Sequence, residues 1–252
     1  RADLCEIRLN SAVKTIKWGG DGVEVLAEQH DRRSQSTPGP ERFRAPKIIV
    51  TLPLGVLQAR AGGAHVEFEP EMQTKKSALG QLEMGQVIRV SLCFRERFWD
   101  AIRAGGRTLA DLCFLFSDDE WFPTWWTLHP QRIPVLTAWA AGPHGAKLTG
   151  QPPEQLAARA IERLATLLPV SSADFLQQQL VSYYTHDWQS DPYARGAYSY
   201  VLVGGMKAQG ELAAPVGGKL FFAGEATETN GHHSTVHGAI SSGVRAAREA
   251  LG

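Results

Sequence analysis

Lys219-Leu-Phe-Phe-Ala-Gly-Glu-Ala-Thr227, followed by Asn230-Gly-His-His-Ser-Thr-Val-His-Gly-Ala-Ile-Ser-Ser-Gly243, is the stretch from which the rest of the chain can be read. Leu220 to Ala223 are wholly apolar and stop at Gly224, the pattern of a short buried strand ended by a turn. Ser234 or Thr235 then offers a helix N-cap. The helix runs to about Leu251, with Val236, Ile240, Val244 and Ala247 on one stripe. Gly238, Ala239, Ser242, Gly243 and Ala246 leave part of its surface bare enough for another backbone or a flat ligand. A buried strand that turns through glycine into a helix N-terminus makes a place for an electron-rich group. An ordinary strand-turn-helix that closes a domain has the same pattern, and these residues by themselves do not choose.

Working outward, Lys47-Ile-Ile-Val-Thr-Leu52, stopped by Pro53, is a second apolar run suited to a strand buried on both faces. Upstream, Leu4 to Ala12 reads as a strand-like opening. Val13 to Trp18, the Gly19-Gly-Asp-Gly22 turn and Val23 to Ala27 then read as a hairpin. Asp31 to Arg44 is charged and proline-rich, the texture of an exposed loop. The middle of the chain differs. Glu71 to Met84 is patterned as an amphipathic helix, and Val87 to Phe94, Leu109 to Phe116, Pro134 to Ala141 and Leu176 to Tyr184 as strands. Pro152-Pro153 introduces a helix that turns Leu156, Ala160, Ile161, Leu164 and Leu168 inward. Trp188 to Tyr200 is an aromatic loop punctuated by Pro192 and Gly196.

Composition narrows the function classes. Lys and Arg number 26 and Asp and Glu 26, so nothing in the charge balance argues for nucleic acid or an anionic membrane. No apolar run approaches the roughly 20 residues of a membrane span, and no signal-peptide pattern is present. Cys5, Cys93 and Cys113 are odd in number and far apart, which fits a reducing, cytoplasmic setting. The chain begins at Arg1 and enters strand-like sequence almost at once, so it reads as a piece of a longer protein.

Three separated motifs occur in order: Ile49-Val-Thr-Leu-Pro-Leu-Gly-Val-Leu57, then Trp188, Asp191-Pro192 and Arg195-Gly-Ala-Tyr-Ser-Tyr200, then Phe222-Ala-Gly-Glu-Ala-Thr227 with Thr235-Val-His-Gly-Ala239 and Ser242-Gly243. As a set they resemble the flavin-dependent amine oxidase family, which includes monoamine and polyamine oxidases and LSD-type histone demethylases. The resemblance implies an α/β fold with an α+β insertion. Residues 1–61 and 185–252 would be two portions of a Rossmann-like FAD-binding domain, and 62–184 an amine-oxidase-type substrate domain. It covers the carboxyl-terminal portion of the family's catalytic unit. The dinucleotide fingerprint Gly-x-Gly-x-x-Gly occurs nowhere in the chain, and the resemblance implies that it lies upstream. A sheet cut at that point leaves edges unpaired, so dimerisation, partial disorder or rearrangement is expected.

The resemblance also implies roles. Thr235 and Val236 would turn backbone N–H groups toward the flavin edge that becomes negative on reduction, an effect worth about 0.3–2 kcal/mol. Gly224 and Glu225 would lie against the ribityl-diphosphate, and Val13 against the adenine. Trp188 and Tyr193 would pack at the flavin edge; core filling is the other use of such rings. Ala197 and Ala239 complete the cofactor set. Tyr198 matches one of two aromatic positions that flank the substrate amine, and the second falls on Thr235, which is not aromatic. Arg89 stands where the family usually has a lysine near flavin N5; a guanidinium keeps the charge but not the tunable proton. Arg89 equally suits a surface or salt-bridged strand position. His232, His233 and His237 lack a metal-site pattern, and Ser199 lacks a nucleophile turn. The implied reaction is oxidation of a small-molecule amine to an imine with non-covalent FAD and O2, releasing H2O2. The alternatives are C–C dehydrogenation on the same fold, or a fragment that holds no FAD by itself.

Overall fold

Turns and caps decide where each element of this chain starts and stops. The computed structural model describes residues 5–29, 39–170 and 172–252. In chain order the elements are β1 (Ser11–Gly19), β2 (Gly22–Gln29), β3 (Glu41–Ala45), β4 (Ile48–Val50), α1 (Leu54–Leu57), β5 (Glu67–Glu69), α2 (Lys76–Gly80), β6 (Leu82–Gly85) and β7 (Val87–Phe94). There follow β8 (Arg103–Ala104), β9 (Arg107–Thr108), β10 (Phe114–Phe116), β11 (Thr124–Thr127), β12 (Val135–Ala141), α3 (Pro143–Ala146), α4 (Pro153–Leu167), α5 (Ala173–Gln179) and β13 (Leu180–Thr185). The chain ends with β14 (Tyr198–Val201), α6 (Ala208–Ala213), β15 (Leu220–Phe222) and α7 (Val236–Leu251). Among the described residues no helix is long and apolar enough to cross a membrane.

Two compact units form, one from residues 1–84 with 192–252 and the other from 85–191. The unit bounds differ from the sequence expectation chiefly at residues 62–84. Val66 and Met72 are buried with Ile16, Val50 and Phe222, and Ala78, Leu82 and Met84 with Leu54 and Leu212. The apolar side chains of that stretch thus complete the core of the first unit.

In the first unit the Gly19–Gly22 turn closes the expected hairpin, with Gly19 (φ 133°) and Gly20 (φ 47°) in conformations that favour glycine. The sheet order is β3-β2-β1-β5. The opening strand begins at Ser11, later than the pattern suggested. Leu4 lies outside the described residues, Cys5 to Leu9 are irregular, and Asn10 turns the chain at φ 56°. Much of the charged segment 31–44 also lies outside the described residues, but Glu41–Ala45 is a strand, zipped onto β2 from Val23↔Ala45 to Ala27↔Glu41. β4 pairs in parallel with β15, Ile48↔Leu220 to Val50↔Phe222. Its expected burial on both faces fails at Ile49, which is 39% exposed; among the described residues β15 is the one strand that pairs with β4. The helix expected over 71–84 is instead a 3-10 turn, the five-residue α2 and the strand β6 paired with β14. Backbone pairing takes over at Gln81, whose carbonyl accepts the Leu202 N–H at 3.0 Å.

The second unit is built on one antiparallel sheet, ordered β10-β11-β12-β7-β13 among the described residues. Alternation works as it should on β7: Ile88, Val90, Leu92 and Phe94 enter the core while Arg89, Ser91 and Cys93 face away. α4 covers the core face through Leu156, Ala160, Ile161 and Leu164, as its periodicity predicts. The strand expected over Leu176–Tyr184 begins only at Leu180. Ser172 accepts the Phe175 N–H at 3.1 Å and starts helix α5 in its place. Leu109–Asp111 is a 3-10 turn, so the strand there shortens to Phe114–Phe116.

Candidate flavin site

The strand-turn-helix around which the chain is organised forms as expected, and one carboxylate ties it to the aromatic loop. β15 is buried at every residue, Gly224 turns at φ 132°, and Thr235 caps α7 by accepting the Gly238 N–H at 3.1 Å. Glu225 Oε1 accepts the Ser199 N–H (3.1 Å), and Oε2 accepts the Ser199 hydroxyl (2.7 Å) and the Ser234 N–H (3.0 Å). The Ser234 hydroxyl donates in turn to the Ser199 carbonyl. Tyr198, half-buried beside this knot, has its phenol pushed above the ordinary range by burial. Glu225 is therefore a brace between β14 and the entrance to α7.

A second carboxylate shapes the same turn. Glu228 is buried and accepts the N–H groups of Asn230 (2.8 Å) and His232 (2.7 Å). Burial works against its charge, but those two amides and the nearby His232 outweigh it and hold the carboxyl below the usual range. The folded turn leaves no room at Gly238, where a Cβ would stand 2.0 Å from the His232 carbonyl oxygen. With Gly238's amide used by the cap, the first amides of α7 left open are those of Val236 and His237. This is an N-terminus able to receive partial negative charge.

α7 packs by a face other than its apolar stripe. Gly238, Ser242 and Ala246 are buried, with Ala246 against Phe221 and Ala223, whereas Val236, Ile240 and Val244 are 78%, 64% and 47% exposed. Small residues win because they let the helix come close to β15. Ser242 also takes the Gly224 N–H (2.9 Å), and the Gly224 carbonyl accepts from Ser242 and Thr227, so both backbone groups of Gly224 are already engaged.

The same loop reaches a cavity. Tyr193 and Val13, both in the expected cofactor set, line one space of about 530 Å3 in the first unit together with Leu52, Val56, Ala64 and Val66. Such a volume and a mostly apolar wall suit a flat ring system. Pro53 and Gly55 of the first motif hold α1 there, and Gly55 is required because a Cβ would come within 2.7 Å of the Arg195 carbonyl. Residues 193–199 therefore run from the cavity wall to the Glu225 brace, and Val13, Tyr193, Ala197, Tyr198, Gly224, Glu225, Thr235, Val236 and Ala239 all belong to the first unit.

Arg89 and Trp188 belong to the second unit and are described there. Arg89 is exposed on β7 opposite Trp139 of β12. Trp188 is 42% exposed with its ring 4.4 Å from that of His186, and Tyr193 is 55% exposed, so neither of these two rings is core filling. Sequence reasoning missed Ser199 and Ser234 as partners of Glu225, and it missed Glu228 and Ser242. Ser242 was visible as the next step, four residues on, of the small face begun by Gly238. The pairing of Ser199 with Glu225 spans 26 residues and had no local signal.

The profile of the family described as flavin containing amine oxidoreductase matches residues 2–251. A possible lysine-specific histone demethylase 1 of Drosophila melanogaster is 36% identical over 96% of this chain and 28% of its own length. Polyamine oxidase 4 of Oryza sativa subsp. japonica is 32% identical over 97% of this chain and 45% of its own. In fold, the chain is similar to a putrescine oxidase solved with putrescine bound, at TM-score 0.72 and 23% identity over 96% of this chain and 48% of that one. The chain thus spans less than half the length of these relatives. On the match across nearly its whole length, this chain belongs to the flavin-containing amine oxidoreductase family, whose cofactor is FAD.

Proposed function

We propose that the complete protein oxidises an amine C–N bond to an imine, the two electrons and two protons passing by way of FAD, when bound, to dioxygen, which is reduced to hydrogen peroxide. The observation that carries this reading is the Glu225 brace, which fixes Tyr198 and the open α7 N-terminus in one unit. FAD supplies the two-electron acceptor when bound. Val13 and Tyr193 would hold its flat parts along the 530 Å3 cavity, and the amides of Thr235 and Val236 would receive its electron-rich edge. Tyr198 would pack against the substrate amine, and Arg89 would supply a fixed positive charge. Gly224, Glu225, Ala197 and Ala239 act as the frame; Trp188 is assigned to the flavin edge by resemblance. The relatives' names include lysine-specific demethylases and polyamine and putrescine oxidases, which makes an amine the first substrate class to try.

The test is flavin retention followed by peroxide release. Purified complete protein is expected to carry FAD's visible absorbance and to release peroxide with an amine. Glu225→Gln is expected to remove charge from three hydrogen bonds, at about 1.5–3 kcal/mol in stability, and to cut flavin occupancy. A complete protein that retains no flavin would overturn the reading. Retained flavin, with peroxide formed from C–H substrates and from no amine, would favour the C–C dehydrogenase alternative.

A further inference from the structure

The helical side of the second unit carries a cluster of cations that the amine oxidation proposed above does not use. It is gathered around one ring. The Arg159 guanidinium of α4 stands over Trp121, its Cζ 3.9 Å from the ring centre, and the Lys147 Nζ lies 5.8 Å from the same ring. Arg163, one helical turn beyond Arg159, reaches the same loop, where its Nε–H donates to Asp119 Oδ2 at 2.5 Å. Asp119 is itself fixed, because Oδ1 accepts the Trp121 (2.9 Å) and Phe122 (2.8 Å) N–H groups. Both guanidiniums are therefore held against one loop, the first by its face and the second by its Nε.

What the two arginines leave unspent points to a ligand. Among the described residues neither donates through its terminal nitrogens, and the Arg159 Nε–H is buried with no acceptor. A half-buried charge without an acceptor is costly unless something supplies one. The neighbouring carboxylates do not. Asp119 is taken by Arg163, and Glu120 stands 4.0 Å from Lys147 with 65% of its side chain exposed, a loose pair. Asp118, Glu154 and Glu162, the other acids of that loop and of α4, pair with none of the three cations among the described residues.

Two planar forks a turn apart and one ammonium suit an anion with several oxygens and more than one charge. A carboxylate would occupy one fork. A phosphate group offers three strong acceptor oxygens and a charge of about −1.5 to −2 at neutrality, enough for both forks with Lys147 as a point charge. Stacking on Trp121 keeps the Arg159 plane in place before the anion arrives, so little ordering is left to the binding step. We propose that Arg159, Arg163 and Lys147 form a seat for the phosphate group of a small molecule. The seat lies wholly in the second unit and stands whether or not the amine reading holds.

Calorimetric titration of the complete protein, with FAD in excess, against glycerol 3-phosphate, inorganic phosphate and acetate near pH 8 tests the seat without any turnover. The excess FAD keeps the cofactor's own site out of the measurement. Both phosphates are expected to bind at least ~10-fold tighter than acetate, and glycerol 3-phosphate to weaken below about pH 6, where it loses its second charge. Arg159→Gln should cost at least ~10-fold. Arg159→Lys should recover only part of that, since an ammonium neither stacks as a plane nor binds as a fork. Lys147→Gln, at a side chain 48% exposed, should cost less and leave folding intact. Thermal unfolding of each variant separates lost binding from lost structure. Equal affinity for the two phosphates would assign the seat to the phosphate group alone, and a preference of ~10-fold or more for glycerol 3-phosphate would assign it to an organic monoester; either supports it. Phosphates that bind no better than acetate, or that bind folded Arg159→Gln as tightly as the unaltered protein, would overturn it, as would an affinity untouched by Lys147→Gln.

Discussion

The two units are held by different physics. In the first, ionised side chains fasten backbone that would otherwise be loop: Glu225 grips Ser199 and Ser234, Glu228 grips Asn230 and His232, and Lys75 grips the end of α6 through the carbonyls of Glu211 and Ala214. In the second, one sheet and one long helix close over Trp99, Phe122, Trp125 and Leu92, all fully buried. The difference is a division of labour. Polar braces hold a precise turn at a site, with a dependence on protonation state, while apolar packing dominates a platform whose own carboxylate braces are Asp119, on the Trp121 and Phe122 amides, and Asp187, on the Gly150, Gln189 and Ser190 amides. It follows that the two units should fail under different insults.

The largest effect is expected from the platform. Trp125 is completely buried, its Nε1–H donates to the Phe122 carbonyl at 2.9 Å, and its ring meets that of Phe122 edge-on at 6.0 Å. Trp125→Ala should cost about 3–5 kcal/mol in unfolding free energy. That loss should be the same at about pH 6 and about pH 9, because no ionised group is removed. Urea unfolding at both values measures it. A loss that changed strongly with pH would break the contrast between the units.

This contrast also explains what could be read in advance. β7, β12 and α4 were legible because burial follows alternation or a 3.6-residue period, and apolar periodicity is written residue by residue. The strand-turn-helix was legible too, from Leu220 through Thr235. The face of α7 was not. Its stripe of Val236, Ile240 and Val244 has the stronger pattern, yet close approach to β15 favours Gly238, Ser242 and Ala246. Glu71 to Met84 misled for a related reason: its helical spacing is real, but pairing with β14 and the bond from Leu202 to Gln81 are partners more than a hundred residues away. Of the site, the residue types on the 193–199 loop and at Glu225 were visible in the sequence, and the way the carboxylate joins them was not. A brace made of a glutamate and two serines has no period.

Lys75 sharpens the contrast through pH. It is 1% exposed, its Nζ lies 4.6 Å from the Phe222 ring centre, and it donates to the Glu211 carbonyl at 2.7 Å. Burial first, and then the nearby Arg245 charge, push its ammonium down to about 8, against the pull of Glu211 and Glu249. A lysine lowered in the folded state and ordinary, at 10.5, when unfolded makes the unfolded chain bind more protons between those two values. Stability from this group therefore rises as pH climbs from about 8 toward 10.5, by up to about 3 kcal/mol. Lys75→Met should flatten that rise and leave two carbonyls without their donor, at about 1–3 kcal/mol near neutrality. Thermal unfolding across the range checks it. A wild-type curve that fell through the same window would show that Lys75 is not held in the depressed state.

The smallest effect separates a cap from a cofactor contact. Thr235 Oγ1 accepts the Gly238 N–H at 3.1 Å and its hydroxyl donates to the His232 carbonyl at 2.5 Å, so the side chain is occupied within the protein. Thr235→Ala should then cost about 1 kcal/mol, the ordinary value of an N-cap, and Thr235→Ser should recover most of it. The amides proposed to face the flavin belong to the backbone and survive both changes. Flavin occupancy should therefore fall only as far as the looser turn lets it, and should return with serine. If alanine cost the expected stability while serine restored stability but not flavin, the threonine methyl would be touching the cofactor. The polar turn would then be recognising its ligand by shape as well as by charge, and the division between the two units would be less complete than their cores suggest.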